Sequence, residues 1–291
     1  MLIAFCGCFW LTDQFLDLTG IDFLEHDTAG MERESAAVMG KSGYEDEMID
    51  AESHTAAYHG EFAKARGLTR RAIEEARSAG EKETSAEYDA EGALRETLVG
   101  HQGLAREQAQ AALALSNGRD AEAVSAIAIA LAGDSAQAQR LASDLNRRFP
   151  QDTVAQFEYL PMISAASVLG ANDGPKHAGD AIQELAKAEP YELGSFAVSL
   201  YPAYLRGDLY LAARRDTAAA GEFEKILNHP GVALNDPIAA LAHLNLGRAY
   251  ALSGRTSEAR TAYQDFFTLW KNADPDIPIL KQAKAEYARL E

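Results

Sequence analysis

Gly40-Lys41-Ser42 has the closing residues of a phosphate-binding loop, in which backbone N–H groups cradle phosphate and the lysine reaches its oxygens. That loop also needs a glycine five residues before Gly40. Ser35 stands there, so the cradle is incomplete and the triplet reads as a turn between helices. The seven histidines are His26, His54, His59, His101, His177, His229 and His243. His54 and His59 are five apart, about 140° around a helix, so they do not present both rings to one metal as an i, i+4 pair does. Each histidine is expected to be structural or solvent-facing. The spacings predict no metal site, a two-histidine set completed by distant carboxylates being the one arrangement left open. Glu45-Asp46-Glu47 with Asp50 and Glu52 lacks the alternating oxygen ligands, central glycine and terminal glutamate of a calcium loop. It reads as a solvated helix start, where carboxylates meet the positive helix end. Cys6 and Cys8, one residue apart, cannot staple a fold or build a four-ligand zinc site. No Gly-x-Ser-x-Gly elbow or His-Glu-x-x-His stretch occurs. No catalytic residue and no cofactor is expected.

The composition narrows the classes further. The 291 residues carry Lys+Arg 27 against Asp+Glu 44, a formal net charge of −17. Such a field repels phosphate backbones and anionic lipid, which excludes nucleic acid as a partner. Hydrophobic residues make up 47% but aromatics only 8%, and alanine supplies much of the difference, favouring closely packed helices over a thick sheet-centred core. The apolar run Met1 to Leu11 is too short for the bilayer core, which takes about 20 apolar residues as a helix. No Lys or Arg precedes it and no small-x-small site follows, so it reads as a first helix packed on the next unit ahead of a secretory signal or a start inside a longer protein. No membrane span is expected.

A repeat lies behind the alanines. Near the end stand Leu246-Gly247, Tyr250, Gly254, Ala259, Tyr263 and Phe266, a spacing that resembles the tetratricopeptide pattern. One unit upstream the skeleton reads Gly207, Tyr210, Ala219, Phe223 and Ile226. Gly207 to Tyr210 and Gly247 to Tyr250 are both three residues, and Ala219 to Phe223 and Ala259 to Tyr263 are both four. Earlier units keep a turn glycine five residues before a packing alanine: Gly60 and Ala65, Gly100 and Ala105, Gly133 and Ala138. The series Met31, Ala65, Ala105, Ala138, Ala178, Ala219, Ala259 advances by 33 to 41 residues and fills the chain. Small residues are wanted where antiparallel helices approach, and aromatics a turn away fill the wedge to the next pair. A single pair leaves an apolar face bare, so stacking builds the core. The spacing predicts an all-α, right-handed solenoid of about six or seven tetratricopeptide-like helix pairs. Residues 1–48 form a degenerate first repeat, 49–274 the solenoid and 275–291 a capping helix, in one continuous domain.

Punctuation supports this register. Pro150 and Pro190 each fall twelve residues after a packing alanine and close second helices. Pro161 and Pro202, 41 residues apart within the helical stretches 153–169 and 193–213, should begin or kink inner helices. Asn235 or Asp236 should cap the helix after the loop 228–237. Asp274-Pro275-Asp276-Ile277-Pro278 breaks the chain before a closing helix from Ile279 to Leu290. Arg214 stands where related units have a turn glycine.

Residues 228–291, above all Asp274 to Tyr287 and the helix Ala259 to Trp270, resemble the C-terminal tetratricopeptide region of large bacterial serine/threonine kinases of the eukaryotic-like type. Similar regions also follow DNA-binding domains of transcriptional regulators. The likeness extends over residues 50–291, including Glu192-Leu193-Gly194 and Tyr201-Pro202. It implies repeats that bind partners or sense signals behind an effector domain. No glycine-rich loop, strand lysine, HRD-type catalytic loop or DFG triplet occurs, so kinase chemistry is carried over to no residue.

In such solenoids first helices line a concave face. The register puts Tyr201, Tyr204 and Asp208 inward on one unit and Leu241, Leu244 and Arg248 on the next. Aromatic, aliphatic and charged groups on a curved face suit an extended peptide or helix, and the negative surface favours basic segments. The expected function is a non-catalytic interaction scaffold or adaptor. Its alternative is the sensory or regulatory segment of a kinase or transcription regulator without its effector domain. A cytoplasmic setting is favoured, with a periplasmic one following if the repeats belong to a membrane-anchored kinase.

Overall fold

Apolar residues at helical intervals and glycine turns should give paired helices, and the computed structural model consists of them. It describes residues 9–41, 43–171, 176–194 and 198–290. The apolar residues 1–8 lie outside the described residues. After α1 (Phe9–Glu25) and α2 (Thr28–Val38) come six inner–outer pairs. They are α3 (Glu45–Tyr58) with α4 (Phe62–Ala79), α5 (Lys82–Leu98) with α6 (Gln102–Leu115), and α7 (Arg119–Leu131) with α8 (Ser135–Arg148). Next come α9 (Leu160–Gly170) with α10 (Ala178–Leu185), and α11 (Tyr201–Ala212) with α12 (Asp216–Leu227). A one-turn α13 (Pro230–Ala233) precedes the last pair, α14 (Pro237–Leu252) with α15 (Thr256–Leu269), and α16 (Pro278–Tyr287) closes the chain. The described residues contain no strand, and none of their helices is long and apolar enough to cross a membrane. The chain is an all-α solenoid of stacked helix pairs.

The turns explain the glycines. Gly60, Gly80, Gly100, Gly133 and Gly254 adopt left-handed φ values between 75° and 93°. At each, two backbone bonds close the helix end: Gly60 N–H donates to Ala57 O (2.9 Å) and Glu61 N–H to Ala56 O (2.9 Å), and the others repeat the pattern. Arg214 makes the same turn at φ 57°, donating to Leu211 O while Arg215 donates to Tyr210 O. The outer helices then begin alike. Ala65, Ala105, Ala138, Ala178, Ala219 and Ala259 all lie buried in the first turn or so of an outer helix. Gly207 and Gly247 are inner-helix residues pressed on outer-helix rings. A Cβ at Gly207 would stand 2.6 Å from Phe223, and one at Gly247 2.9 Å from Tyr263.

Inner helices differ from outer ones in polarity. Ten consecutive residues of α7, Ala121–Ala130, are buried, so this helix touches protein all round. Helix α8 instead buries Ala138 and Leu145 and exposes Arg140 and Arg147, while Arg148 turns back to Glu122 of α7. Pro150 and Pro190 follow the ends of α8 and of the 3₁₀ extension of α10. Pro202 is the second residue of α11, where a missing N–H costs nothing, whereas Pro161 lies inside helical backbone that runs from 153 to 170, directly after a π-turn. A π-turn over Ala155–Tyr159 leads into α9. The expected helix over 193–213 is shorter than the periodicity suggested. It starts at Tyr201, and the described residues between 191 and 200 are turns, with Gly194 and a left-handed Ser199 among them.

The two ends of the stack meet. Helix α14 packs on α3, and Asn235 Nδ2 donates to Ala51 O and Thr55 Oγ1 at 2.9 Å. Trp270 Nε1 donates to Tyr58 O (2.9 Å), Asp274 N–H to Gly60 O (3.0 Å), and Ile279 N–H to Val99 O (3.3 Å). Residues 270–279 thus run across the turn apices of the first two inner–outer pairs. At Gly60 a Cβ would lie 2.5 Å from Ala273 Cβ, so the strap needs a glycine beneath it. The solenoid closes on itself and encloses its inner helices.

Candidate functional site

Closure decides what the inner face can do. Tyr201, Tyr204, Leu241 and Leu244 are buried, and Asp208 and Arg248 are half-buried. The expected groove residues therefore do not line an open channel. Tyr201 faces α3 and α5, and Tyr204, Asp208 and Arg248 face the end of α5 and the start of α16, because the strap and the Asn235 contacts draw the first pairs over the last. Three of the six do converge. Asn245 Nδ2 donates to Asp208 Oδ1 (2.9 Å) and to the Tyr204 hydroxyl (3.1 Å), and Arg248 Nη1 donates to Asn245 Oδ1 (2.9 Å). Arg248 Nε also donates to Glu286 Oε2 (2.9 Å) on α16, which accepts from the Tyr263 hydroxyl as well (3.0 Å). Burial pushes Asp208 up to about 7, against the pull of Arg248. A cavity of about 170 Å³ opens beside this network, lined also by Thr97, Gln102 and Ile279.

A second cavity, of about 240 Å³, lies between α3, α5 and the start of α14. Asp50 and His54 come from one turn of α3, and Glu91 and Arg95 from the matching turn of α5, each pair at i, i+4. Because the two helices hold equivalent places in successive pairs, all four side chains point to one spot. His54 Nε2 is 3.4 Å from Asp50 Oδ2 and 3.3 Å from Glu91 Oε2. Arg95 lies 3.7 Å from Asp50 Oδ1 and donates through Nη2 to Thr69 Oγ1 at 2.8 Å. Asp236 and Tyr201 complete the lining. Burial and Arg95 act to lower the His54 pKa, but Asp50 and Glu91 outweigh them and raise it to about 9. Burial and Asp236 together keep the Tyr201 hydroxyl protonated far above its ordinary range. Asp50, His54 and Glu91 bring one ligand atom each within 4.8 Å of one another, and they alone among the described residues form such a metal-competent set.

The acidic run starts α3 as expected, with Glu45, Asp46 and Glu47 in its first turn, but it is not solvated throughout. Asp46 is buried and accepts from the Tyr88 hydroxyl at 2.9 Å, and Asp50 is buried in the cavity. Helix α3 is an inner helix, so its carboxylates turn into the ring. The residues that meet here were legible through one signal: Asp50 and Glu91, like His54 and Arg95, are 41 residues apart, one repeat length. His–His spacing, the criterion applied to the sequence, cannot detect a set drawn from two helices. Gly40 adopts φ 78° in the turn between α2 and α3, and its N–H donates to Glu45 Oε2 at 2.7 Å.

No family model matches this chain, and no curated protein is similar to it in sequence. Among solved structures the chain is similar to the TPR domain of P58(IPK), at 12% identity and a TM-score of 0.31, over 91% of this chain and 83% of that one.

Two larger hollows are also present, the first of them open to solvent. One, of about 500 Å³, is formed by Leu211, Leu252, Tyr263 and Leu290 around Arg248, Glu286 and Arg289 at the ends of α11, α14 and α16. The other, of about 480 Å³, lies among α1, α2 and α3 and is lined by Phe23, Met31, Met48 and Tyr58.

Proposed function

We propose that this chain is a non-catalytic interaction scaffold, and that a partner peptide or short helix docks on the rim at α11, α14 and α16. The observation that carries the reading is the open hollow of about 500 Å³, where apolar Leu211, Leu252 and Leu290 surround Arg248, Glu286 and Arg289. Apolar contact area there supplies affinity and the charges fix register. Leu252 is 37% exposed, the kind of large apolar side chain that a partner would cover. Arg248 is the one residue shared between this rim and the groove expected from the register. The net charge of −17 favours basic partner segments. A pull-down from lysate of the source cells with the wild type and Leu252→Asp tests the site. Loss of the recovered protein in the variant supports the rim, and equal recovery from both overturns it.

A second reading is favoured by the resemblance of residues 228–291 to the repeat regions behind bacterial serine/threonine kinase and DNA-binding domains. On that reading the same rim relays partner binding to an effector. An open frame coding such a domain immediately upstream of Met1 supports it, and a stop codon there with transcription starting at this reading frame removes it.

A further inference from the structure

We propose that Asp50, His54 and Glu91 form a three-ligand site for a zinc-like divalent cation, with the fourth coordination position open to the inner cavity and facing Arg95. The distances point this way. Charge-assisted hydrogen bonds run at about 2.7–2.9 Å, whereas His54 Nε2 stands 3.4 Å from Asp50 Oδ2 and 3.3 Å from Glu91 Oε2. Ligands about 2.0–2.1 Å from a tetrahedral cation are separated by about 3.3–3.4 Å, the spacing of His54 from each carboxylate here, and all three ligand atoms lie within 4.8 Å of one another. Imidazole and carboxylate oxygens are ligands that zinc accepts, and two protein helices supply them from rigid positions.

Charge supports the same assignment. Asp50, Glu91 and Asp236 bring three carboxyl groups to the cavity and Arg95 one positive charge. A divalent cation bound there would displace the proton of His54 and take over its pairing with the two carboxylates. Asp50, with a side chain 10% exposed, is costly to ionise unless compensated. Arg95 provides an independent observation. Its side chain is 3% exposed and is fixed by the Nη2 bond to Thr69, yet its Nη1 has no hydrogen-bond partner. Asp50 Oδ1 also has none. A fixed, buried donor lining a cavity without a protein acceptor is matched by an anionic group arriving from outside the chain. A small carboxylate or oxyanion on the cation's open position would take that bond. The site is independent of the docking rim at α11, α14 and α16.

The experiment uses the full chain, stripped with chelator and titrated with Zn²⁺ by calorimetry, then with Co²⁺ as a visible-absorption probe. The wild type is expected to bind one cation per chain, with the intense d–d bands of tetrahedral Co²⁺. His54→Gln and Glu91→Gln should each weaken binding by at least about tenfold, the lower end of what even an outer-shell change costs a metal site. His59→Gln should bind as the wild type does. Acetate should shift the Co²⁺ bands of the wild type and leave those of Arg95→Met unchanged. Helical circular dichroism identifies any variant that does not fold, and the near-isosteric Glu91→Gln serves if His54→Gln is lost this way. Absence of stoichiometric binding, an octahedral Co²⁺ spectrum, or undiminished binding in both ligand variants overturns the site.

Discussion

Arg214 holds at φ 57° the left-handed conformation that Gly60, Gly100, Gly133 and Gly254 hold elsewhere. A side chain there brings Cβ against the following carbonyl, at a cost of about 1–2 kcal/mol, whereas glycine adopts the region freely. Arg214 is exposed, so its replacement removes no packing. Arg214→Gly should therefore stabilise the protein by about 0.5–1 kcal/mol after the greater entropy of the unfolded glycine is counted, read as a higher denaturant midpoint. A lowered midpoint would show that the arginine contributes more than its backbone costs. The repeat was legible at this scale because sterics leave few options: a turn wants Gly, a close approach wants Gly or Ala, and Gly247 lies beneath Tyr263. The Asp50–His54–Glu91 set escaped a reading confined to neighbours on one helix, since its third member lies a full repeat away.

Helix α4 shows how far a local element depends on a distant one. Its N-cap, Glu61, makes no capping bond through its side chain. The N–H of Ala63 instead donates to Asp274 Oδ2 at 2.6 Å, across the strap. Asp274 thus caps a helix that begins more than two hundred residues earlier. Asp274→Ala should cost about 1 kcal/mol, in line with loss of a helix cap, and Asp274→Asn should retain most of it. Thermal unfolding of the two variants distinguishes capping from a mere change of surface charge, which both share. The prolines and asparagine of residues 228–237 and 274–278 marked breaks in the sequence correctly. What they could not mark was destination, because the strap binds the carbonyls of Tyr58, Gly60 and Val99, groups that every residue offers.

At the scale of the whole molecule, stacking of the helix pairs buries acids. Burial pushes Asp208 up to about 7 against Arg248, Glu122 up to about 7 against Arg148, and Asp89 up to about 6 against Arg77. A carboxyl whose folded pKa exceeds its unfolded value near 4 stabilises the fold fully below that value and loses the contribution as pH rises through the folded one. The melting temperature should therefore fall by several degrees between pH 5 and pH 8, and Asp208→Asn should flatten the decline. A melting temperature that rises over this range would contradict the burial of these groups. The all-α stack was readable from periodicity, but its curvature was not, being the sum of small rotations between pairs that no single residue encodes. That curvature has a consequence for synthesis. Thr55 and Asn235 are 180 residues apart, and a ribosome adding roughly 5–20 residues per second needs about 10–40 s to travel between them. Throughout that interval the nascent chain carries an unsealed half-circle whose acidic interior is hydrated. A cation or a chaperone can reach it then without any opening of the finished ring.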